Sequence, residues 1–150
     1  MEFNSVDDIL DFAIEKEEEA AQFYTDLASR MERPKMSLIF SDFAHEEIGH
    51  KKKLQGIKKG KIPAPMAKKV MDLKIGDYLI DVEPQPNLDY QEALIVAMKK
   101  EKAAFKLYTD LANFTDNENL RSTFLLLAQE EAKHKLRFEI EYDDYVLSDN

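Results

Sequence analysis

The sequence predicts an all-α protein, a four-helix bundle made of two repeated helical hairpins with a long crossover between helices two and three. Its 150 residues fit one domain, and they include 4 glycines and 5 prolines, few for a β-rich protein. A set of residues recurs at a constant offset of 84 positions, which indicates an internal repeat. Four of the prolines lie between the two repeats, so the helical segments are left uninterrupted.

The repeat covers both helices of each half. The pentapeptide at 24–28 recurs unchanged at 108–112. The matching residues of the second helices are Phe40, Ala44, Glu46, Glu47, His50 and Lys51, paired with Phe124, Ala128, Glu130, Glu131, His134 and Lys135. Because one offset relates both helices, the two halves have the same spacing between their helices.

The first hairpin is predicted over about residues 5–56. Its first helix begins near Ser5, which stands three residues before Asp8 in a capping-box-like spacing. This helix ends near Glu32, because Pro34 cannot continue it. Pro34 suits the first turn of the second helix, which is predicted to run to about Gly56.

The second hairpin is predicted over about residues 89–144. Its first helix starts around Asp89, with Glu92 three residues later, and ends near residues 115–117. Its second helix runs from about Asn119 to Asp144. The crossover of about thirty residues, 57–88, is too long for a tight turn, and its middle, 70–82, is predicted as a short helix or an extended piece.

Composition excludes several classes of protein. The absence of cysteine rules out disulfides, thiolate metal sites and a cysteine nucleophile. A net charge of −9 argues against general nucleic-acid binding, and no apolar run is long enough to cross a bilayer. The first residues lack the layout of a signal peptide, so a cytoplasmic protein is expected.

The charge is unevenly distributed. From Lys51 to Lys74, nine lysines against one aspartate give +8, which leaves −17 for the rest of a chain whose total is −9. This stretch is either a solvated surface connection or a docking patch for an acidic protein partner.

The inward seam of each predicted helix is apolar except near its middle. There the first and third helices carry a glutamate, and the second and fourth carry Glu-x-x-His; the residues are Glu17, Glu47, His50, Glu101, Glu131 and His134. Buried carboxylates are costly without compensating charge, and two divalent cations would balance four of them. Two glutamates with two Glu-x-x-His pairs form the ligand set of di-iron and di-manganese carboxylate bundles, so a dinuclear site for iron or manganese is predicted.

Other interpretations remain for individual residues. A single Glu-x-x-His pair also occurs on solvated helix faces, and Glu46 and Glu130 would be ligands if the register were shifted by one. His45 lies off the seam and is expected at the surface. Tyr24 and Tyr108 lie two turns beyond the seam glutamates, where each hydroxyl either hydrogen-bonds a metal-bound carboxylate or finds a partner in the core.

The segments 17–28 and 44–50, with their repeats 101–112 and 128–134, resemble rubrerythrin-type members of the ferritin-like superfamily. The resemblance implies a ferritin-like bundle with a non-haem di-iron centre, in which the six seam residues are the ligands and the tyrosine pair lies beside them. Two departures stand out. Typical rubrerythrins add a rubredoxin-like domain with four cysteines, and they carry an extra carboxylate where this chain has Ala104, with Ala20 at the repeat position.

The leading functional expectation is a redox enzyme that reduces peroxide or O2 with an external electron donor such as a rubredoxin. The alternatives are a ferroxidase or iron-storage protein, and a non-catalytic bundle that the metal only stabilises. No nucleic-acid or membrane partner is expected. A homodimer is compatible with the long crossover, although no local feature of the sequence decides the oligomeric state.

Overall fold

The computed structural model describes residues 6–60 and 89–148, which contain four α-helices and no strand. The helices are α1 (Val6–Arg30), α2 (Pro34–Lys59), α3 (Tyr90–Phe114) and α4 (Glu118–Ser148). Each half of the chain forms its own compact unit, in which α1 packs against α2 and α3 packs against α4. None of the helices among the described residues is long and apolar enough to span a membrane.

The first hairpin has the predicted elements with small differences at their ends. Pro34 is the first residue of α2, and Arg33 before it has φ −83° and ψ 126°, the extended backbone that a following proline favours. α2 runs past the predicted end at Gly56 to Lys59, where the Gly60 amide donates to the Gly56 carbonyl oxygen at 3.0 Å. A glycine inside a helix costs only about 1 kcal/mol relative to alanine, so it does not by itself end the helix.

The second hairpin begins where it was predicted. The Asp89 side chain accepts a hydrogen bond from the Glu92 amide at 2.7 Å, which caps α3. Asn117 caps α4 in the same way, because its Oδ1 accepts from the Leu120 amide at 2.9 Å. α4 continues to Ser148, four residues beyond the predicted end. The predicted cap at Ser5 and nearly all of the predicted crossover, residues 61–88, lie outside the described residues.

One aromatic contact is repeated in the core of each hairpin. The rings of Tyr24 and Phe40 stack with centroids 6.2 Å apart and an interplanar angle of 16°. The rings of Tyr108 and Phe124 stack at 6.5 Å with the same angle. All four side chains are almost completely buried. The sequence repeat therefore reproduces packing geometry as well as helical pattern.

The two hairpins differ in their polar contacts between helices. Lys51 of α2 forms an ion pair with Glu18 of α1 at 2.7 Å, and Lys58 pairs with Asp11. The hydrogen bond from Lys51 lowers the pKa of Glu18. In the second hairpin, Gln91 Nε2 donates a hydrogen bond to the Tyr142 hydroxyl at 3.3 Å. The counterparts of Asp11 and Glu18 at the offset of 84 are isoleucine and lysine, which explains why the ion pairs are not repeated.

Candidate metal centre

The first hairpin buries three side chains that can ligate a metal. Glu17 lies on α1, and Glu47 and His50 lie on α2. Their exposed fractions are 2%, 2% and 5%. Residues three apart on a helix share a face, so Glu47 and His50 project to the same side of α2, where Glu17 approaches them from α1.

The distances among these groups suit ligands of a shared ion. His50 Nδ1 is 3.6 Å from Glu17 Oε2 and 3.5 Å from Glu47 Oε1. One ligand atom from each of the three residues lies within 4.8 Å of the others. These separations exceed the 2.7–3.2 Å of ordinary N–H···O hydrogen bonds. Two ligands about 2.1 Å from one ion, at a tetrahedral angle, would be about 3.4 Å apart.

The second hairpin repeats this arrangement with Glu101 of α3 and with Glu131 and His134 of α4. These side chains are 1%, 1% and 4% exposed. His134 Nδ1 is 3.5 Å from Glu101 Oε1 and 3.9 Å from Glu131 Oε1. Each hairpin thus presents two carboxylates and one imidazole to one small volume.

The neighbouring polar residues are placed as the predicted register requires. Glu46 and His45 are exposed, and Glu130 is partly exposed, whereas the glutamates that follow Glu46 and Glu130 are buried. Within residues 6–60 and 89–148, no other acidic or histidine side chains are gathered closely enough to hold a metal. The structure therefore favours the six predicted residues over the register shifted by one, and their role as ligands remains a prediction.

The chemistry of the donor set fits a divalent transition metal. Two carboxylates carry −2, so one divalent ion in each hairpin would neutralise charge that is otherwise buried at a cost of several kcal/mol. Carboxylate oxygen with imidazole nitrogen is a mixed set that iron and manganese accept, and the chain has no thiolate to favour a softer ion.

Comparison with known proteins identifies the family of this chain. The family model described as rubrerythrin matches residues 8–69 and 92–150, which is most of the chain. The chain belongs to the rubrerythrin family. No protein of curated function matches it significantly.

Two solved structures show the fold of this rubrerythrin-family chain. A Thermotoga maritima protein described as a ferritin-like diiron-carboxylate protein is 22% identical, with a TM-score of 0.76 over 97% of each chain. A hypothetical protein of Pyrococcus furiosus is 25% identical, with a TM-score of 0.75 over 93% of this chain and 89% of that one. The predicted ferritin-like all-α class is thus confirmed.

The tyrosine pair lies in the core of this rubrerythrin-family protein. Tyr24 is 0% exposed and Tyr108 is 1% exposed. Each stands seven residues after a seam glutamate, about 10 Å along the helix at 1.5 Å per residue. The two rings are packed in the core by stacking on Phe40 and Phe124. A hydrogen bond from either hydroxyl to a metal-bound carboxylate stays a prediction.

One buried acid was not predicted from the sequence. Glu141 of α4 is 9% exposed and accepts hydrogen bonds from Arg137 Nε at 3.0 Å and from the Tyr90 hydroxyl at 3.5 Å. The pKa of Tyr90 is raised to about 12. Burial of the phenol is the larger cause, and the negative charge of the nearby Glu141 carboxylate is the next. The available signal was the step of three residues from buried Phe138, which continues the apolar seam of α4. Glu141 is not among the candidate metal ligands, and its hydrogen bond with Tyr90 connects the start of α3 to the last part of α4.

Proposed function

We propose that this chain is a non-haem di-iron redox protein that reduces hydrogen peroxide or O2 with electrons from an external donor protein. The observation that carries the proposal is the burial, within each hairpin, of two carboxylates and one histidine around one small volume. Membership of the rubrerythrin family supports the same conclusion.

The proposed ligands would bind two iron ions. They are Glu17, Glu47, His50, Glu101, Glu131 and His134. Four carboxylates at −4 balance two divalent ions at +4, while neutral histidines complete the set without adding charge. Zinc would accept these ligand atoms, but a zinc site usually has four ligands in all. A zinc site would therefore not explain why four carboxylates are buried. Family membership favours iron, and manganese is the alternative metal.

When bound, two Fe(II) ions would supply the two electrons that, with two protons, convert one hydrogen peroxide molecule to two waters. The six proposed ligand side chains would set where the two ions bind and would balance the charge of those ions. At 1–5% exposure, the six residues are shielded from bulk water, which strengthens electrostatic interactions within the site. The paired positions of Glu and His on α2 and α4 hold an oxygen and a nitrogen ligand on one rigid helix face.

The electrons that restore the reduced state must come from outside the chain. It has no cysteine, so it has no thiolate-bound iron site of its own. A second protein that carries electrons is therefore part of the proposal.

The test is peroxide consumption by the iron-loaded protein with an added rubredoxin and its reductase. We expect the paired substitution Glu47→Ala and Glu131→Ala to lower the rate at least 100-fold, because each removes a buried ligand. The matched control is Glu46→Ala with Glu130→Ala, which removes less buried neighbours of the same residue type. If the variant with Glu47→Ala and Glu131→Ala consumed peroxide at the wild-type rate, the proposal would be rejected.

Iron loading in air separates an enzyme from a store. With excess Fe(II), the proposal requires iron to stop at two ions per chain. Continued loading beyond two would indicate storage instead, and no measurable iron binding would reject a di-iron protein altogether.

A further inference from the structure

The solvent-exposed side of α2 carries glycines and lysines. Five residues spaced alternately four and three apart lie on one face of the helix, and all are exposed. This α2 outer stripe consists of His45, Gly49, Lys52, Gly56 and Lys59. Lys53 is exposed beside it.

The lysines of this region fall into two groups. Lys51 and Lys58 are held by acids of α1, so their charge is compensated within the hairpin. Lys52, Lys53 and Lys59 form no ion pair with any residue in the described ranges 6–60 and 89–148. The stripe therefore presents positive charge to a partner on a chain whose net charge is −9.

The repeat shows that the hairpin architecture does not require this basic face. At the offset of 84, the same face of α4 carries Lys133 where α2 has glycine, and then Leu136 and Ile140 where α2 has Lys52 and Gly56. Leu136 is 56% exposed and Ile140 is 48% exposed. Both helices leave this face exposed, but on α4 the face carries Asp143 as well as Lys133, and Arg137, at the position of Lys53, is paired with Glu141.

The two glycines leave the α2 backbone accessible. A Cβ atom added at Gly49 or Gly56 would meet nothing within 4 Å, so packing inside the hairpin does not exclude a side chain. Each glycine costs the helix about 0.5–1 kcal/mol relative to alanine. A neighbouring protein surface could approach the helix closely at these two positions.

The stripe lies on the opposite side of α2 from the candidate ligands. Glu47 and His50 are buried on the inner side, one to five residues from Gly49 and Lys52 along the helix. A helix with its side chains is about 10–12 Å across. A partner on the stripe would therefore be separated from the ligand side chains by the thickness of one helix, and short separation favours electron transfer.

We propose that the α2 outer stripe, with Lys53, is the docking surface for the electron donor, a small protein with an acidic surface. This inference rests on the proposed function, which requires an external donor, and it adds where the donor binds. Complementary charge steers the encounter of such partners and makes it sensitive to ionic strength. Asp42 and Glu46 lie near the N-terminal end of the stripe, so the donor contacts are centred on Gly49 to Lys59.

The binding test uses an acidic rubredoxin in which zinc replaces iron, titrated against the iron-loaded full chain by calorimetry. We expect Lys52→Glu with Lys53→Glu to weaken binding at least tenfold at low ionic strength. The control is Arg33→Glu with Lys35→Glu, which makes the same charge change on exposed residues at the other end of the hairpin, and it should change binding less than threefold. An unchanged Kd for the first pair, or equal weakening by both pairs, would overturn the proposal.

A second measurement needs no variant. Lysine acetylation of the wild-type protein, read by mass spectrometry, should slow at Lys52, Lys53 and Lys59 when the zinc rubredoxin is present, and should not slow at Lys35. Protection at Lys35 without protection at Lys52 and Lys53 would place the partner elsewhere. Equal protection by a 20-base-pair DNA duplex would also overturn the proposal, because the surface would then bind any polyanion.

The two proposals fail in distinguishable ways. Zinc rubredoxin transfers no electrons, so its binding reports docking even if the chain has no peroxidase activity. Stripe variants that keep peroxide turnover with a small-molecule reductant but lose it with iron rubredoxin would support docking. Loss of turnover with both reductants would indicate a damaged metal site, and wild-type turnover with iron rubredoxin would overturn the docking proposal.

Discussion

His50 of α2 lies opposite Glu17 of α1, with 3.6 Å between Nδ1 and Oε2. His134 and Glu101 show the same relationship in the second hairpin at 3.5 Å. Neither pair is adjacent in sequence, so each depends on how two helices pack. The repeated geometry shows that both hairpins hold an imidazole and a carboxylate at a spacing that suits a common ion.

Metal removal is expected to destabilise the protein. A ligand that binds only the folded state at 100 times its Kd adds about 2.7 kcal/mol, which corresponds to a change in Tm of roughly 5–10 °C for a chain of this size. Differential scanning calorimetry of iron-loaded and chelated protein measures this difference. The variant with both His50→Ala and His134→Ala should show little difference, and a full wild-type difference in that variant would contradict the ligand assignment.

Removing the tyrosine hydroxyls tests their predicted hydrogen bond to a metal-bound carboxylate. Tyr24→Phe with Tyr108→Phe keeps the rings that stack on Phe40 and Phe124. We expect iron affinity to fall by about tenfold, the lower end of the range for groups that orient metal ligands. Competition with a coloured chelator measures the affinity. Unchanged affinity would show that these tyrosines serve only the core.

The stacked phenylalanines should be important for stability. Phe40 is 0% exposed and packs on Tyr24, so Phe40→Ala leaves a cavity and is expected to lower the free energy of unfolding by about 3–5 kcal/mol. Urea denaturation of the metal-free protein measures the change. Phe105→Ala is the control, because Phe105 is 41% exposed, and a comparable loss there would contradict the assignment of the core.

Alkaline pH should weaken the second hairpin through Tyr90. Its pKa is about 12 in the folded protein, above the ordinary value of 10, because burial and Glu141 oppose the phenolate. The folded state therefore holds this proton more tightly, and the stability it confers is present below pH 10 and lost as pH rises toward 12. Chemical denaturation across this window should show a steeper decline for wild type than for Tyr90→Phe. Parallel declines would show that Tyr90 contributes nothing.

Gly56→Ala should stabilise the protein. Gly56 lies inside α2, and an added Cβ meets nothing within 4 Å, so the substitution restores helix propensity without a clash. The expected gain in the free energy of unfolding is about 0.5–1 kcal/mol. Urea denaturation measures it, and a loss of stability would show that the glycine has a conformational role within the hairpin.

Much of the candidate site followed from helical periodicity. Stepping along each seam located Glu17 and Glu101 among apolar neighbours, and the structure buries both. The buried acid Glu141 was missed, because its burial depends on Tyr90 and Arg137 as partners and not on its own helical position alone. α2 also runs to Lys59, three residues beyond its predicted end at about Gly56, because a glycine costs a helix only about 1 kcal/mol and does not by itself end it.

The sequence alone determined the helical hairpins, their repeat, and the residue types on each seam, because helical periodicity and side-chain chemistry are local properties. Only the tertiary structure decided how far apart the ligand atoms lie and which lysines are neutralised. His50 meets Glu17, and Lys51 meets Glu18, across 33 residues of chain in each case, so the contact exists only when α1 and α2 pack in one register. Packing joins residues that are distant in sequence, so it set those distances and left Lys52 and Lys53 exposed to solvent.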